Sequence, residues 1–381
     1  MNNKLNDRIY PEQFLLLAFI SIMTFKVVML AQYLVSEAGN EAYIAMTVMI
    51  SIEIMMCALV YGIISYGSLP RLDLPKGIKY VLALLLFVTS MAKCALLGSE
   101  GVSYVSTTIY DNVRWSYACL ALMLVCCYLA YKGGKVIART AQIFFWLMAL
   151  SFAFHVVFAK TDLQFVNLLP LDFSTDIAVA CDKYLVWFGD YSCLLFLSVS
   201  KSPNAKGKRL AVWTALAIVG TFVCAVGLMV IFVCVFGDSG AIVGNAFLNV
   251  SSLNKIAFMI GSMDLPTVCS WVIMCTIRLS LLLYACKECL KIFFGEKWWL
   301  SAVCALTAYL LIVYGIGNLK TGYSIATGAL RYFVYFTDFI AVIALYILVH
   351  VKYKKANKPK ALPSPETPAL KQISPPSQGE E

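Results

Sequence analysis

Charged residues are scarce in this chain of 381 residues. Only 13% are Asp, Glu, Lys or Arg, whereas 61% are hydrophobic. A soluble domain is closer to a quarter charged and half apolar. A soluble core cannot bury such an apolar excess, so the composition excludes a soluble globular protein and predicts an all-α integral membrane protein in a lipid bilayer.

The motifs of common enzymes and metal sites are also missing. The chain contains no phosphate-binding loop, nucleophile elbow or metalloprotease helix motif, so we predict no enzymatic activity, no catalytic residue and no cofactor. A C-x-x-C at Cys286 and Cys289 has no second pair, and the chain has only two histidines. Metal binding is therefore not predicted.

Long apolar runs make up most of the sequence instead. About 20 apolar residues are needed to cross a hydrocarbon core of about 30 Å, and ten runs come close to or exceed that length. They predict ten transmembrane helices within a permease-like membrane domain, residues 14–350. The predicted spans are 14–35, 42–64, 78–97, 115–131, 141–159, 184–200, 210–236, 265–285, 298–317 and 329–350.

Basic residues alternate between the two sides of these spans. Most of the 30 lysines and arginines fall on one side if the N-terminus is inside, so the positive-inside rule predicts that both termini are cytoplasmic. These termini are residues 1–13 and the basic, proline-rich tail 351–381, which is predicted to be disordered. The net charge of +9 is attributed to topology and anionic lipid, not to a nucleic-acid partner.

Six ionisable side chains fall inside the predicted spans. Unpaired at the bilayer centre, at about 2.5–3.5 kcal/mol each, they would together cost roughly 15–20 kcal/mol. We expect them to face one another or water, either as structural pairs or as the lining of a polar cavity. Lys93 lies near the predicted outer end of its span and is expected to snorkel to the interface. The six are Lys26, Glu53, Lys93, Asp190, Arg278 and Asp338.

The sixth span is the strongest candidate for a binding site. Its 17 residues reach about 26 Å, less than the thickness of the core, and Gly189 directly precedes Asp190 in an apolar stretch. A short span interrupted by glycine is typical of a discontinuous helix that exposes backbone groups to a substrate. The sequence therefore predicts a break at this glycine.

Ten spans divide into five and five, which predicts a five-plus-five inverted repeat with discontinuous helices one and six and a ligand between them. Lys26 of the first span and Asp190 of the sixth are expected to approach each other there. Trp187 and Phe188 either pack or close over the ligand, and Tyr104 is a candidate outer gate. The predicted substrate-binding residues are Lys26, Glu53, Tyr104, Trp187, Phe188, Gly189, Asp190 and Arg278.

Several stretches carry a family resemblance over roughly residues 11–317. They include PEQFLLLAFI, EAGNEAYIA, GGKVIARTAQIFF and VNLLPLDF, the triplet Phe188-Gly189-Asp190, and SMDLPTVCSWVIMCTIRLSLLLYA with Arg278 before Ser280 and Tyr284. In their order and spacing, the chain resembles the B subunit of GerA-type spore germinant receptors. This is the GerAB or spore permease family of the amino acid–polyamine–organocation transporter superfamily.

The resemblance implies a ten-helix permease fold that binds an amino acid or similar small germinant. It also implies a place in the spore inner membrane beside a receptor A subunit and a C lipoprotein. Two positions depart from the family pattern: Asp190 replaces the usual Glu, and Lys26 stands where relatives tend to carry glycine. Lys26 then either binds the ligand's carboxylate or fills the site by pairing with Asp190.

Two other functions remain open from the sequence. One is an autonomous amino acid transporter coupled to protons or sodium, with Asp190 or Glu53 as the titrating group. The other is a membrane scaffold for receptor partners that binds no ligand, in which all six charges are structural.

Overall fold

The computed structural model describes residues 8–24, 26, 29–108, 114–159, 163–169, 173–200, 207–244, 249–250 and 264–356. Within these ranges the regular elements are helices, apart from an isolated bridge between Ile9 and Val199. The last helix continues to Ala356, so it extends into the segment predicted to be a tail. Residues 1–7 of the predicted N-terminal segment and 357–381 of the predicted tail lie outside the described residues.

Thirteen α-helices are labelled in chain order in the described ranges. They are α1 Pro11–Thr24, α2 Leu30–Ala38, α3 Ala42–Tyr66, α4 Lys76–Thr108, α5 Trp115–Lys132, α6 Gly134–Ala159, α7 Asp176–Lys183, α8 Gly207–Phe236, α9 Asp264–Phe294, α10 Leu300–Leu310, α11 Leu319–Ile325, α12 Arg331–Val334 and α13 Ala341–Ala356. Short π-helical stretches follow α10, α11 and α12.

Seven helical stretches of the described chain are long and apolar enough to cross a membrane. They match the second, third, fourth, fifth, seventh, eighth and tenth predicted spans. The first, sixth and ninth predicted spans correspond to shorter apolar helices, which begin at Pro11, Leu185 and Leu300. An all-α, multi-pass membrane fold is therefore confirmed, and the count of ten crossings stays a prediction.

The predicted breaks in the first and sixth segments are present. In the first segment α1 ends at Thr24 and α2 begins at Leu30, with Lys26 in a turn between them. The sixth segment starts at Asp176, earlier than predicted, and consists of α7, a 3₁₀ turn over Leu185–Trp187, a non-helical stretch around Gly189, and a 3₁₀ turn over Ser192–Phe196. Both breaks leave backbone carbonyls available to side chains.

The main helix packing follows the division into two halves. The third-span helix α4 packs most extensively on the eighth-span helix α9, and the second-span helix α3 packs on the seventh-span helix α8. These are the pairs that a five-plus-five repeat relates to each other. The two interrupted segments lie within this frame, which brings their breaks together.

Helix α4 is much longer than its predicted span. It continues past Leu97 to Thr108, and its 33 residues extend about 50 Å. Lys93 consequently lies near the middle of the helix and not near its outer end. The polar residues Ser99, Glu100 and Ser103, all buried, made the helix seem to end early, because burial inside a bundle cannot be read from hydropathy.

On the side of the bundle predicted to be cytoplasmic, the residues before α1 form backbone hydrogen bonds with the end of the sixth segment. The backbone N–H of Ile9 donates to Ser198 O at 2.9 Å, and that of Ser200 donates to Ile9 O at 2.8 Å. The residues that precede α1 are thereby attached to the end of the sixth segment.

Candidate functional site: a charge cluster beneath an aromatic lid

Lys26 fills the break of the first segment with its ammonium group. Its Nζ donates to Ile22 O at 2.8 Å, one turn back on α1, and to Trp187 O at 3.0 Å in the sixth segment. Glu53 Oε2 on α3 is 2.9 Å away, and the ring of Phe188 lies under the charge, with its centroid at 4.4 Å. One cation thus connects three separate segments.

Gly189 forms the break of the sixth segment. Its φ of +80° lies in the region that favours glycine, and a Cβ at this position would lie 2.8 Å from Asp338 Oδ2. Glycine is required both by the backbone conformation and by the close approach of Asp338. Beyond the break, the N–H of Asp190 donates to Glu53 Oε1 at 3.0 Å.

Asp190 lies at the centre of the site and is shared by three cations. Arg278 Nη2 on α9 donates to its Oδ1 at 2.8 Å, while Arg278 Nη1 donates to the backbone carbonyl of the same residue, also at 2.8 Å. Lys26 Nζ and Lys93 Nζ are each 3.5 Å from one of its carboxylate oxygens. The predicted approach of Lys26 and Asp190 is present, but each has a shorter contact with another partner.

Lys93 and Asp338 complete the cluster, although neither was predicted to belong to the binding site. Lys93 Nζ is 2.9 Å from Asp338 Oδ2 and donates to Phe188 O at 2.5 Å. Both residues are at most 1% exposed, so the predicted snorkelling of Lys93 is wrong: it pairs inside the bundle. The equal numbers of positive and negative residues among the six intramembrane charges were the sequence signal for this arrangement.

We call these six residues the charge cluster: Lys26, Glu53, Lys93, Asp190, Arg278 and Asp338. Each is at most 5% exposed, and the ion pairs connect three cations with three carboxylates. The cluster is therefore neutral as a unit, which is how charges of both signs are retained in a low-dielectric interior. Its members come from α3, α4, α9, the two breaks, and the π-helical turn Tyr335–Ile340 that carries Asp338.

Four aromatic rings cover the cluster on the side predicted to face outward. Tyr33 of α2 has its ring centroid 5.8 Å from that of Tyr184, 5.5 Å from that of Trp187 and 4.7 Å from that of Tyr323. The hydroxyls of Tyr184 and Tyr323 are 3.1 Å apart. We call these four residues the aromatic lid. Trp187 belongs to both layers, because its ring is in the lid and its carbonyl accepts from Lys26.

Tyr104, the predicted outer gate, lies elsewhere. It is buried on α4 with its ring centroid 4.5 Å from that of Trp271 on α9. Its surroundings are those of a packing residue between two helices. The sequence did not indicate the lid, because its four members come from three segments far apart in the chain.

The carboxylates of the charge cluster face ammonium and guanidinium groups. Within the described residues, no group of three or more His, Cys, Asp or Glu side chains is placed to hold a metal ion.

No protein-family model matches the chain, and no curated protein sequence matches it. Its fold is similar to crystal structures of a manganese transporter from Eremococcus coleocola. A point mutant of that protein aligns with 11% identity over 91% of this chain and 86% of the transporter, with a TM-score of 0.57. Its complex with an aromatic bis-isothiourea substituted compound aligns with 12% identity over 90% and 87%, with a TM-score of 0.55. The chain therefore shares a fold with this transporter at low sequence identity, and the predicted all-α membrane fold class is confirmed.

Proposed function

We propose that this chain is the permease-fold subunit of a spore germinant receptor and that an amino acid or similar zwitterion binds at the charge cluster to trigger germination. The observation that carries the proposal is the neutral cluster at the point where the two interrupted segments meet. A zwitterion adds no net charge to three cations and three carboxylates. It can therefore enter by exchange of partners, without leaving an uncompensated charge in the membrane interior.

The exchange follows from the contacts. A ligand carboxylate takes the place of Asp190 on Arg278 and Lys26, and the ligand ammonium group takes a carboxylate such as Glu53. Manganese is the cargo of the structurally similar transporter, but here a divalent cation would leave the otherwise neutral charge cluster with two uncompensated positive charges. The cluster thus supports a zwitterionic ligand better than a metal ion.

Binding at this site has to rearrange the protein, which supports a sensing role. The ammonium group of Lys26 connects Ile22 of α1, Glu53 of α3 and Trp187 of the sixth segment, so a ligand that displaces it releases both breaks. In the proposed receptor this change is passed to the A subunit and the C lipoprotein in the spore inner membrane, with both termini of this chain in the cytoplasm. The resemblance of the sequence to the receptor B subunits supports this assignment.

A second candidate is an autonomous amino acid transporter coupled to protons or sodium. The similarity of the fold to a solved transporter favours it. The two candidates share the ligand site and differ in whether the chain moves the ligand across the membrane by itself.

Ligand binding is tested by thermal unfolding of the full chain in lipid nanodiscs, with a panel of amino acids and with manganese chloride. We expect one or more amino acids to raise the midpoint, Asp190→Asn to abolish the shift, and Asp182→Asn to retain it. Asp182 is a matched control because its carboxylate pairs with Arg331 away from the cluster and is 60% exposed. A shift with manganese only, or a shift that Asp190→Asn leaves intact, contradicts the proposed site.

Uptake and germination assays separate the remaining functions. Concentrative uptake of the amino acid into proteoliposomes that contain this chain alone would establish the transporter and contradict a sensor that requires partners. Co-purification with the A subunit and the C lipoprotein, together with germination that fails in an Asp190→Asn strain, is expected of the receptor. Normal germination in that strain, with only lower expression, would instead indicate a scaffold that binds no ligand.

A further inference from the structure

Glu100 is a buried acid that the charge cluster does not include. It lies on α4 seven residues after Lys93, which is about 10.5 Å along the axis and nearly the same helix face. The face of α4 that places Lys93 in the cluster therefore places Glu100 one layer outward, under the aromatic lid. Glu100 is only 5% exposed.

The carboxyl group of Glu100 has a single hydrogen bond to the described chain. Trp187 Nε1 donates to its Oε1 at 2.9 Å, and its Oε2 is buried without a hydrogen-bond partner among the described residues. No lysine, arginine or histidine of these residues forms an ion pair with it. This differs from the three carboxylates of the cluster, each of which contacts at least one cation.

The surroundings of Glu100 disfavour a negative charge. Among the described residues, the titratable groups that interact electrostatically with Glu100 are Asp190 of the sixth segment, Tyr33 of α2 and Cys275 of α9, and none of these three is a cation. The cluster beneath is neutral as a unit, so it offers no spare positive charge. An ionised carboxylate with one hydrogen bond and no counter-ion in a membrane interior is strongly unfavourable, whereas the protonated acid is neutral.

We propose that Glu100 is a proton-binding site, occupied while the aromatic lid is closed and emptied when the lid opens. Trp187 supplies the connection: its ring is part of the lid, its indole N–H contacts Glu100, and its carbonyl accepts from Lys26. When the lid separates, water reaches the carboxyl group, the proton leaves to the outer solution, and a solvated carboxylate remains. Closure takes the proton back.

The sign of the pH dependence follows from this exchange. The closed state holds one more proton than the open state, so raising the pH favours the open state. Above the pKa of a solvated glutamate, about 4.3, and while the closed state keeps its proton, opening becomes about tenfold more favourable per pH unit. Glu100→Gln mimics the protonated acid and retains an acceptor for Trp187, so it holds the lid closed at every pH. The proposal concerns the chain without ligand and stands whether the protein senses or transports.

The direct test is infrared spectroscopy of the full chain in nanodiscs, in the stretching region of the protonated carboxylic C=O. We expect a band that is lost in Glu100→Gln and retained in Glu37→Gln. Glu37 is the matched control because it lies on α2, close in sequence to Tyr33, and forms an ion pair with Lys183. A spectrum without the band, or a band that persists in Glu100→Gln, overturns the proposal.

One further measurement keeps the test informative if Glu100→Gln folds poorly, and a second tests the coupling to the lid. Trp187→Phe removes the N–H donor but keeps the acid, so the band is expected to remain and to shift in frequency; an unshifted band contradicts the contact. Hydrogen exchange of the backbone over residues 184–191 reports lid opening. After correction for intrinsic exchange, its rate is expected to rise about tenfold per pH unit in the wild type and to be independent of pH in Glu100→Gln. Equal pH dependence in both proteins overturns the coupling to the lid.

Discussion

The charge cluster and the aromatic lid are neighbouring layers of one site, yet different forces hold them together. In the cluster every charge has an opposite charge within 3.5 Å, and removal of Lys26 or Lys93 takes away the only ion pair of Glu53 or Asp338, respectively, among the described residues. In the lid, rings meet at 4.7–6.3 Å, and each such contact contributes about 0.5–1.5 kcal/mol beyond burial. We therefore expect the lid to separate more easily than the cluster.

The largest expected effect comes from removing Arg278. Arg278→Leu leaves Asp190 without its two shortest contacts, and breaking a buried ion pair costs about 3–5 kcal/mol. Thermal unfolding of the purified chain is expected to show a large fall in stability. Arg278→Lys keeps the charge but loses the guanidinium fork that reaches both the carboxylate and the backbone carbonyl. Its stability is expected to lie between that of the wild type and that of the leucine variant. If the leucine variant is as stable as the wild type, the cluster does not stabilise the resting conformation.

The second largest effect on stability is expected from substitution of Gly189. Gly189→Ala places a Cβ at φ +80° and 2.8 Å from Asp338 Oδ2, a strain of about 1–3 kcal/mol. Gly220→Ala is the matched control, because a Cβ there meets nothing within 4 Å in the helix α8, where alanine is favoured by about 1 kcal/mol. Thermal unfolding is expected to show opposite signs for the two substitutions, and equal effects would mean that the break tolerates a side chain.

A third comparison ranks the two partners of Lys26. Double-mutant cycles with Lys26→Met are expected to give a larger coupling energy with Glu53→Gln than with Asp190→Asn, within about 0.5–3 kcal/mol. The reason is that Nζ is 2.9 Å from Glu53 and 3.5 Å from Asp190. Exchanging the charges of Lys26 and Asp190 is not expected to restore stability, since Asp190 also serves Arg278 and Lys93. Full recovery by the exchange would show that the pair acts alone.

The smallest effect is expected in the lid. Tyr323→Phe removes a hydroxyl that lies 3.1 Å from that of Tyr184 but keeps the ring, so stability is expected to fall by only about 0.5–1.5 kcal/mol. Hydrogen exchange over residues 184–191 should nevertheless increase, because the lid opens more often. Tyr314→Phe, at a 79% exposed position, provides the control. Unchanged hydrogen exchange in Tyr323→Phe would show that the hydroxyl contact does not keep the lid closed.

Much of the site was predictable from the sequence, because a charged side chain within a membrane span is unfavourable unless it is paired or reaches water. Asp190 after Gly189 in an apolar run indicated a break, and the structure has it. Lys26, Glu53 and Arg278 were recognised as charges at mid-depth, and all three meet at Asp190. That they bind a ligand stays a prediction.

What was missed depends on helix length and on neighbours remote in the chain. Lys93 was placed near an interface because α4 was predicted to end at Leu97. Glu100 lay beyond that predicted end and was not considered, and Asp338 was seen as a charge but not assigned to the site. Tyr104 was chosen as a gate by its position in the chain, whereas the rings of Tyr33, Tyr184 and Tyr323 meet only after folding.

The sequence alone determined that the chain is helical and lies in a membrane, and that the sixth segment breaks at its glycine. These follow from hydropathy and backbone conformation, which are local properties. Only the tertiary structure decided which cation pairs with which carboxylate, and which acid has no counter-ion. Ion pairs in a low-dielectric interior depend on distances between segments, and no local pattern encodes those distances.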